Sequence, residues 1–260
     1  VYSAWVPGHK GGESESMIGA WLKARGARDK ILIATKVGMM PGGLKPDRIR
    51  DAAQGSLDRL ATDTIDLYFA HKDDPDVPLD EVLGAFAELV DAGMVRAIGA
   101  SNYSADRLAE ALRVSDANGL PRYTVVQPEL NLLDRGQYEG ALQKLCIAEG
   151  LGVLTYFSLA SGYLSGKYRT SDDLGKSPRG ARVGRYLEGK GPMVLTAMEA
   201  IAAETGATLS QIALAWVAAQ PGVTAPIASA TTVEQLDDIM GSLDLALTVT
   251  QRAALTAAGA

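Results

Sequence analysis

Short apolar runs alternate along this chain with longer segments in which apolar residues recur every three or four positions. The runs are KILIATK (30–36), TIDLYFAH (64–71), VRAIGAS (95–101), YTVVQ (123–127), GVLTYF (152–157) and VTAPIAS (223–229). None exceeds eight residues, and each is nearly continuously apolar, which predicts parallel strands covered on both faces. The periodic segments predict helices over 13–25, 46–60, 79–92, 104–117, 135–149, 194–205, 209–219 and 232–242. Ser104 and Thr232 stand where a side-chain oxygen can accept from first-turn N–H groups. Gly26, Gly93 and Gly150 follow helix ends, where a left-handed residue costs least without a Cβ.

Strict strand-then-helix alternation implies right-handed βαβ units and a parallel sheet. Two architectures fit six such strands: a doubly wound open sheet, or an eight-stranded barrel without its first two strands. A doubly wound dinucleotide fold carries G-x-G-x-x-G between a strand and a helix, and the sequence holds none. Polar residues instead follow successive runs: Lys36, His71, Ser101 and Asn102, Gln127, Tyr156 to Ser158, and Ser229. In a (β/α)8 barrel these carboxyl ends ring one mouth, where the chemistry of that fold takes place. The expectation is therefore a single α/β domain over 1–260, a TIM (β/α)8 barrel whose first two strands are absent from this chain. The stretch 168–192 is predicted structureless, and a connection that long is often functional.

Composition narrows the function classes. The 260 residues are 47% hydrophobic and 22% charged, as in ordinary globular proteins. No run approaches the roughly 18 apolar residues of a membrane span. A net charge of −6 argues against nucleic-acid binding, which needs concentrated basic surface. The single cysteine, Cys146, excludes an intrachain disulfide and cysteine-rich zinc sites, and its helical setting predicts a packed core thiol. These features together predict a cytoplasmic setting. The opening residues lack the charged and apolar regions of a signal peptide.

The strand-end residues carry the candidate chemistry. Lysine is rarely buried without a partner; in a barrel mouth Lys36 could lose proton affinity, form a Schiff base or polarise a neighbour. His71 has no second histidine, cysteine or close carboxylate at metal-ligand spacing, so no metal is expected. Each residue singly has an ordinary structural explanation: Ser101 and Asn102 as a helix cap, His71 as a satisfied core group. Their shared position at consecutive strand ends is what points to a site.

The motifs ATKVG, IDLYFAHKDDP, RAIGASNYS, VVQPELN, TYFSLASGYLSGKY and ASATTVEQLDD, in this order over nearly the whole chain, resemble the aldo-keto reductases. Val1–Tyr2 resembles the end of that family's D-T-A-x-x-Y motif. The resemblance implies reduction of an aldehyde or ketone with NADP(H), NAD(H) being less expected. It makes Tyr2 the general acid, Lys36 the lysine that lowers its pKa, and His71 the group that orients the carbonyl and shares in proton transfer. Ser101, Asn102 and Gln127 match the residues around the nicotinamide carboxamide, and Tyr156 the aromatic that stacks on the ring. Phe157, Ser158, Leu159, Ser161, Gly162, Leu164 and Lys167 match the loop around the pyrophosphate, with Arg179 in the same region. Ser229, Thr231, Gln235 and Asp238 match the adenosine end. Trp5 and Lys72 are expected on the substrate rim. Three departures accompany these matches: the family's catalytic aspartate would precede Tyr2 by four residues and lies outside this chain, Ile239 stands where the family often has asparagine, and Thr231 where many relatives have arginine. Two other classes stay open, a Schiff-base aldolase using Lys36 and a nucleotide-binding regulatory subunit of low turnover. The implied partner is a small carbonyl or alcohol, with no nucleic acid and no membrane.

Overall fold

A computed structural model describes residues 8–176 and 180–260. The chain divides into two compact units, 1–126 and 127–260. In the first, β1 (Ala34–Val37), β2 (Ile65–Ala70) and β3 (Val95–Ser101) pair in parallel and in chain order. The helices are α1 (Glu13–Arg25), α2 (Pro46–Leu60), α3 (Leu79–Asp91) and α4 (Ala105–Asn118). β4 (Tyr123–Gln127) closes this unit, and Thr124 Oγ1 donates to the Ile98 carbonyl of β3 at 3.2 Å.

The apolar stripes of α2 and α3 lie on the sheet. Ile49, Leu60, Ile65, Tyr68, Leu83 and Phe86 are all fully buried. Tyr68, Phe86 and Tyr123 meet edge to face, with centroids 5.7 and 6.3 Å apart. β2 is buried on both faces, which explains its unbroken apolar sequence. A single carboxylate anchors its start: Asp66 accepts from the Ile33 N–H at 2.8 Å, from Arg28 at 2.9 Å and from Arg96 at 2.6 Å.

The second unit holds α5 (Ala141–Ala148), β5 (Gly152–Thr155), α6 (Gly180–Val183), α7 (Lys190–Thr205), α8 (Leu209–Ala218), β6 (Ala225–Pro226), α9 (Val233–Met240) and α10 (Val249–Ala258). β5 and β6 pair in parallel. Trp216 sits at its core, with its Nε1 donating to Thr256 Oγ1 at 3.0 Å.

Most sequence-based elements occur where expected, and the exceptions have physical causes. The first strand starts at Ala34 rather than 30, because Arg28–Lys30 form a 3-10 turn and Asp66 takes the Ile33 N–H. The last strand shrinks to two residues, and Pro226 has no N–H for a ladder. The helix expected over 135–149 starts only at Ala141, because Gly140 takes a φ of 98°. The stretch 168–192 is not structureless: it contains a 3-10 turn at Ser171–Lys176, α6, and the start of α7. α10 was not expected, although Thr248 and Gln251 form a reciprocal cap at its start. Ser104 and Thr232 cap as read, each accepting a backbone N–H at 3.2 Å. Gly26, Gly93 and Gly150 are left-handed. Cys146 is buried, and burial pushes its thiol up to about 11. No described helix is long and apolar enough to cross a membrane.

Candidate active site

The register of the first unit sets one row of side chains. Lys36 is level with Phe69, and Phe69 with Gly99. His71 and Ser101 lie two residues beyond Phe69 and Gly99, hence on the same face. Phe69 is fully buried and carries the Lys36 ammonium 5.6 Å from its ring centroid. Gly99 makes room for the ring, since a Cβ there would lie 2.5 Å from Phe69 Cε1. The ladder extends one bond past β2, from the His71 N–H to the Val37 carbonyl at 2.7 Å. The strand then ends because the following residues bond sideways. Asn102, left-handed at φ 58°, donates Nδ2 to the His71 carbonyl at 2.9 Å and to Ser101 Oγ at 3.1 Å. Lys36, His71, Ser101 and Asn102 are therefore assembled at three adjacent strand ends.

The electrostatics follow from this packing. Burial lowers the Lys36 ammonium to about 8. Burial, and next the charge of Lys36, lower His71 to about 4. At neutral pH the row thus presents a cationic lysine and a neutral imidazole. Lys72, next in sequence, is exposed.

In the second unit the candidate residues follow β5. Tyr156 donates its hydroxyl to Gln137 Oε1 at 3.3 Å and meets Phe157 edge to face at 5.1 Å. Four residues of the next six have positive φ: Phe157 53°, Ala160 48°, Ser161 58° and Gly162 101°. Three are not glycines, a strained run that persists only where its surroundings enforce it. Asn131 supplies part of that enforcement, donating to the Phe157 carbonyl at 3.2 Å. Ser158 is buried with Oγ 3.2 Å from Thr155 Oγ1 and Leu164 is fully buried, so their side chains serve the fold. Leu159, at φ −101° and ψ 17°, precedes left-handed Ala160. Within the loop the Ala160 N–H donates to the Phe157 carbonyl at 2.7 Å and the Gly162 N–H to the Leu159 carbonyl at 2.8 Å. Lys167 lies alongside: a Cβ on Gly162 would be 3.7 Å from its Nζ. Gln127 is buried at the end of β4.

Ser229, Thr231 and Gln235 are exposed. The Thr231 N–H and hydroxyl both donate to Gln235 Oε1 at 3.0 Å. Asp238 instead accepts from Thr208 Oγ1, at 2.7 Å, at the start of α8. Tyr2, Trp5 and Arg179 lie outside the described residues.

Several residues around the candidates were not singled out beforehand. Asp73, Asp74 and Arg107 brace the segment after His71; Asn131 and Arg182, whose guanidinium lies 5.8 Å from the Phe157 ring centroid, brace the strained loop. The repeated acids of HKDDP were the available signal. Among the described residues, no group of three or more histidine, cysteine or acidic side chains could hold a metal.

The family model described as Aldo/keto reductase family matches residues 1–260. The chain belongs to this family. As a member it is an oxidoreductase acting on small molecules, with the α/β, (β/α)8-barrel class of fold. A probable voltage-gated potassium channel subunit beta of Oryza sativa subsp. japonica is 32% identical, over 90% of this chain and 75% of that protein. Aldo-keto reductase yakc [NADP(+)] of Schizosaccharomyces pombe is 31% identical, over 91% and 72%. Among solved structures, the thermostable aldo-keto reductase Tm1743, in complex with the inhibitor epalrestat, superposes with a TM-score of 0.78. It is 30% identical and the match covers 96% of this chain and 79% of that one.

Proposed function

We propose that this protein reduces an aldehyde or ketone to an alcohol with NADP(H), in the cytoplasm, and that it forms one (β/α)8-barrel domain. The observation that carries this reading is the row Lys36, Phe69, His71 and Ser101 on one face of three adjacent parallel strands.

NADP(H), when bound, supplies the hydride. Ser101 and Asn102 present a hydroxyl and an amide suited to a carboxamide, and buried Gln127 is assigned with them. Tyr156 offers a ring for stacking. The 157–162 loop, with Leu164 and the nearby Lys167 ammonium, is assigned to the pyrophosphate. Arg179 is assigned to the same phosphates. Ser229, Thr231, Gln235 and Asp238 are assigned to the adenosine end; Thr231 and Gln235 are exposed near the N-terminus of α9. NADP is preferred to NAD because yakc, a relative, is named for it.

Tyr2 is the assigned proton donor to the carbonyl oxygen. A free phenol titrates near 10, and the Lys36 cation favours phenolate, which makes the phenol a stronger acid. Neutral His71 is assigned to orient the carbonyl and to share in the proton transfer. Trp5 and Lys72 are assigned to the substrate rim. Tyr2→Phe is expected to reduce turnover about 10²- to 10⁴-fold while leaving cofactor affinity unchanged. Near-normal turnover would remove Tyr2 from this role.

Similarity to a channel beta subunit supports one second reading, a nucleotide-binding regulatory subunit of low turnover. Fluorescence titration with NADPH and NADH, followed by a carbonyl panel, separates the two. Tight NADPH binding with turnover supports the reductase. Tight binding without turnover supports the regulator, and binding of neither cofactor removes both.

A further inference from the structure

The two acids that follow His71 and Lys72 both hold specific partners. Asp73 takes Arg107 Nε on its two oxygens, at 3.0 and 3.1 Å, while Arg107 also reaches Glu110 at 3.0 Å. Asp74 turns the other way. Its Oδ2 accepts from the Leu44 N–H at 2.9 Å and its Oδ1 from the Asp76 N–H at 3.3 Å. Leu44 is fully buried and belongs to the loop after β1, the strand that carries Lys36.

Glycines make this contact possible. Gly43 is left-handed at φ 54°, and a Cβ on it would lie 2.0 Å from Asp74 Oδ2. Gly38, at φ 110°, has the Leu44 side chain where its Cβ would be, 2.8 Å from Cδ2, with the Lys72 carbonyl 3.6 Å away. The loop after Lys36 is thus folded onto the segment after His71. Beyond the bond from His71 N–H to Val37 carbonyl, the two chains would otherwise part, and strand ends open most readily.

We propose that Asp74, seated against Gly43 and the Leu44 N–H, is a positioning residue that keeps His71 in register with Lys36. The inference rests on the reading of that pair given above. On the opposite side His71 is held by Asn102 through its carbonyl, and by the Asp73–Arg107 pair. The charged groups around His71 are Lys36 on β1, Lys72, Asp73 and Asp74 on its own segment, and Arg107 on α4.

His71 and His9 are the only histidines, so nuclear magnetic resonance can follow His71 in the whole protein. In the wild-type background, Lys36→Met is expected to raise the proton affinity of His71 about tenfold. In the Asp74→Ala background, the same change is expected to raise it by less than about threefold. Asp74→Asn, which retains an acceptor for the Leu44 N–H, should restore most of the effect. Gly43→Ala, which keeps the carboxylate but adds a Cβ, should reproduce Asp74→Ala. An undiminished Lys36 effect in both variants would overturn the proposal. Hydrogen exchange at the wild-type His71 N–H needs no variant: protection near that of Ala70 supports it, and exchange as an open amide overturns it. Turnover separates the two levels of inference. Coupling lost in Asp74→Ala, in a protein that reduces no carbonyl, keeps the positioning role and removes the reductase reading. Coupling kept in an active reductase does the reverse.

Discussion

The strand ends of the first unit and the loop after β5 in the second place their candidate residues by different means. Lys36, His71 and Ser101 are placed by a parallel ladder, which fixes level and face for any sequence able to pair. Phe157 to Gly162 are placed by backbone conformation, four of six residues having positive φ. The first arrangement depends on which side chains stand at given positions. The second depends on what braces an unfavourable path: Asn131 on the Phe157 carbonyl and the Arg182 guanidinium over the Phe157 ring. A substitution in the first region should therefore change chemistry or stability, and one in the second should change ligand affinity.

The most disruptive change of the first kind lies at the start of β2. Asp66→Ala removes the acceptor for the buried Ile33 N–H and for two arginines. It should cost about 2–4 kcal/mol in denaturant unfolding, and a loss below about 0.5 kcal/mol would mean that the ladder does not need this anchor. The matching change in the second region is Gly162→Ala. The added Cβ meets no severe contact, with Lys167 Cε 3.5 Å away, so the strain comes from φ 101°. That strain is about 1–2 kcal/mol, and NADPH affinity should fall about tenfold while the rate at saturating cofactor stays unchanged. A fall in rate with unchanged affinity would erase the contrast between the regions.

The pH dependence extends the comparison, with stability and turnover responding to Lys36 with opposite signs. His71 titrates near 4 in the fold, against an ordinary 6.5. Between these values the unfolded chain holds a proton that the fold does not, so stability declines as pH drops from 6.5 toward 4. Lys36 titrates near 8, against 10.5. Its contribution to stability therefore rises from pH 8 to 10.5, whereas turnover should decline over the same interval as its charge is lost. Thermal unfolding and carbonyl reduction recorded across both ranges test this. Turnover rising together with stability above pH 8 would detach Lys36 from catalysis.

What could be read from the sequence divides along the same line. The strands of the first unit were legible because burial on both faces leaves β2 and β3 nearly free of polar residues, and the polar residue that ends each run stands out. His71 was found in that way. The brace behind it was not, because Asp74 acts on a residue thirty positions earlier and nothing local signals Leu44 as its partner. Beyond Tyr156 to Ser158, the loop after β5 was recognised by resemblance alone. Its left-handed Ala160 and Ser161 carry no glycine signature, and its supports come from 131 and 182. The stretch 168–192 was misread as structureless because its turns are short and have little apolar periodicity. α10 was passed over although its Thr–Gln cap was visible, since its mostly small residues give little apolar periodicity.

The most direct test is a single-turnover measurement of carbonyl reduction by Lys36→Met and wild-type protein, each saturated with NADPH, with cofactor affinity determined in parallel. Hydride transfer should be about 10²- to 10⁴-fold slower in the variant at unchanged NADPH affinity. A rate within about threefold of wild type would contradict the assignment of the Lys36–His71 row as the catalytic face.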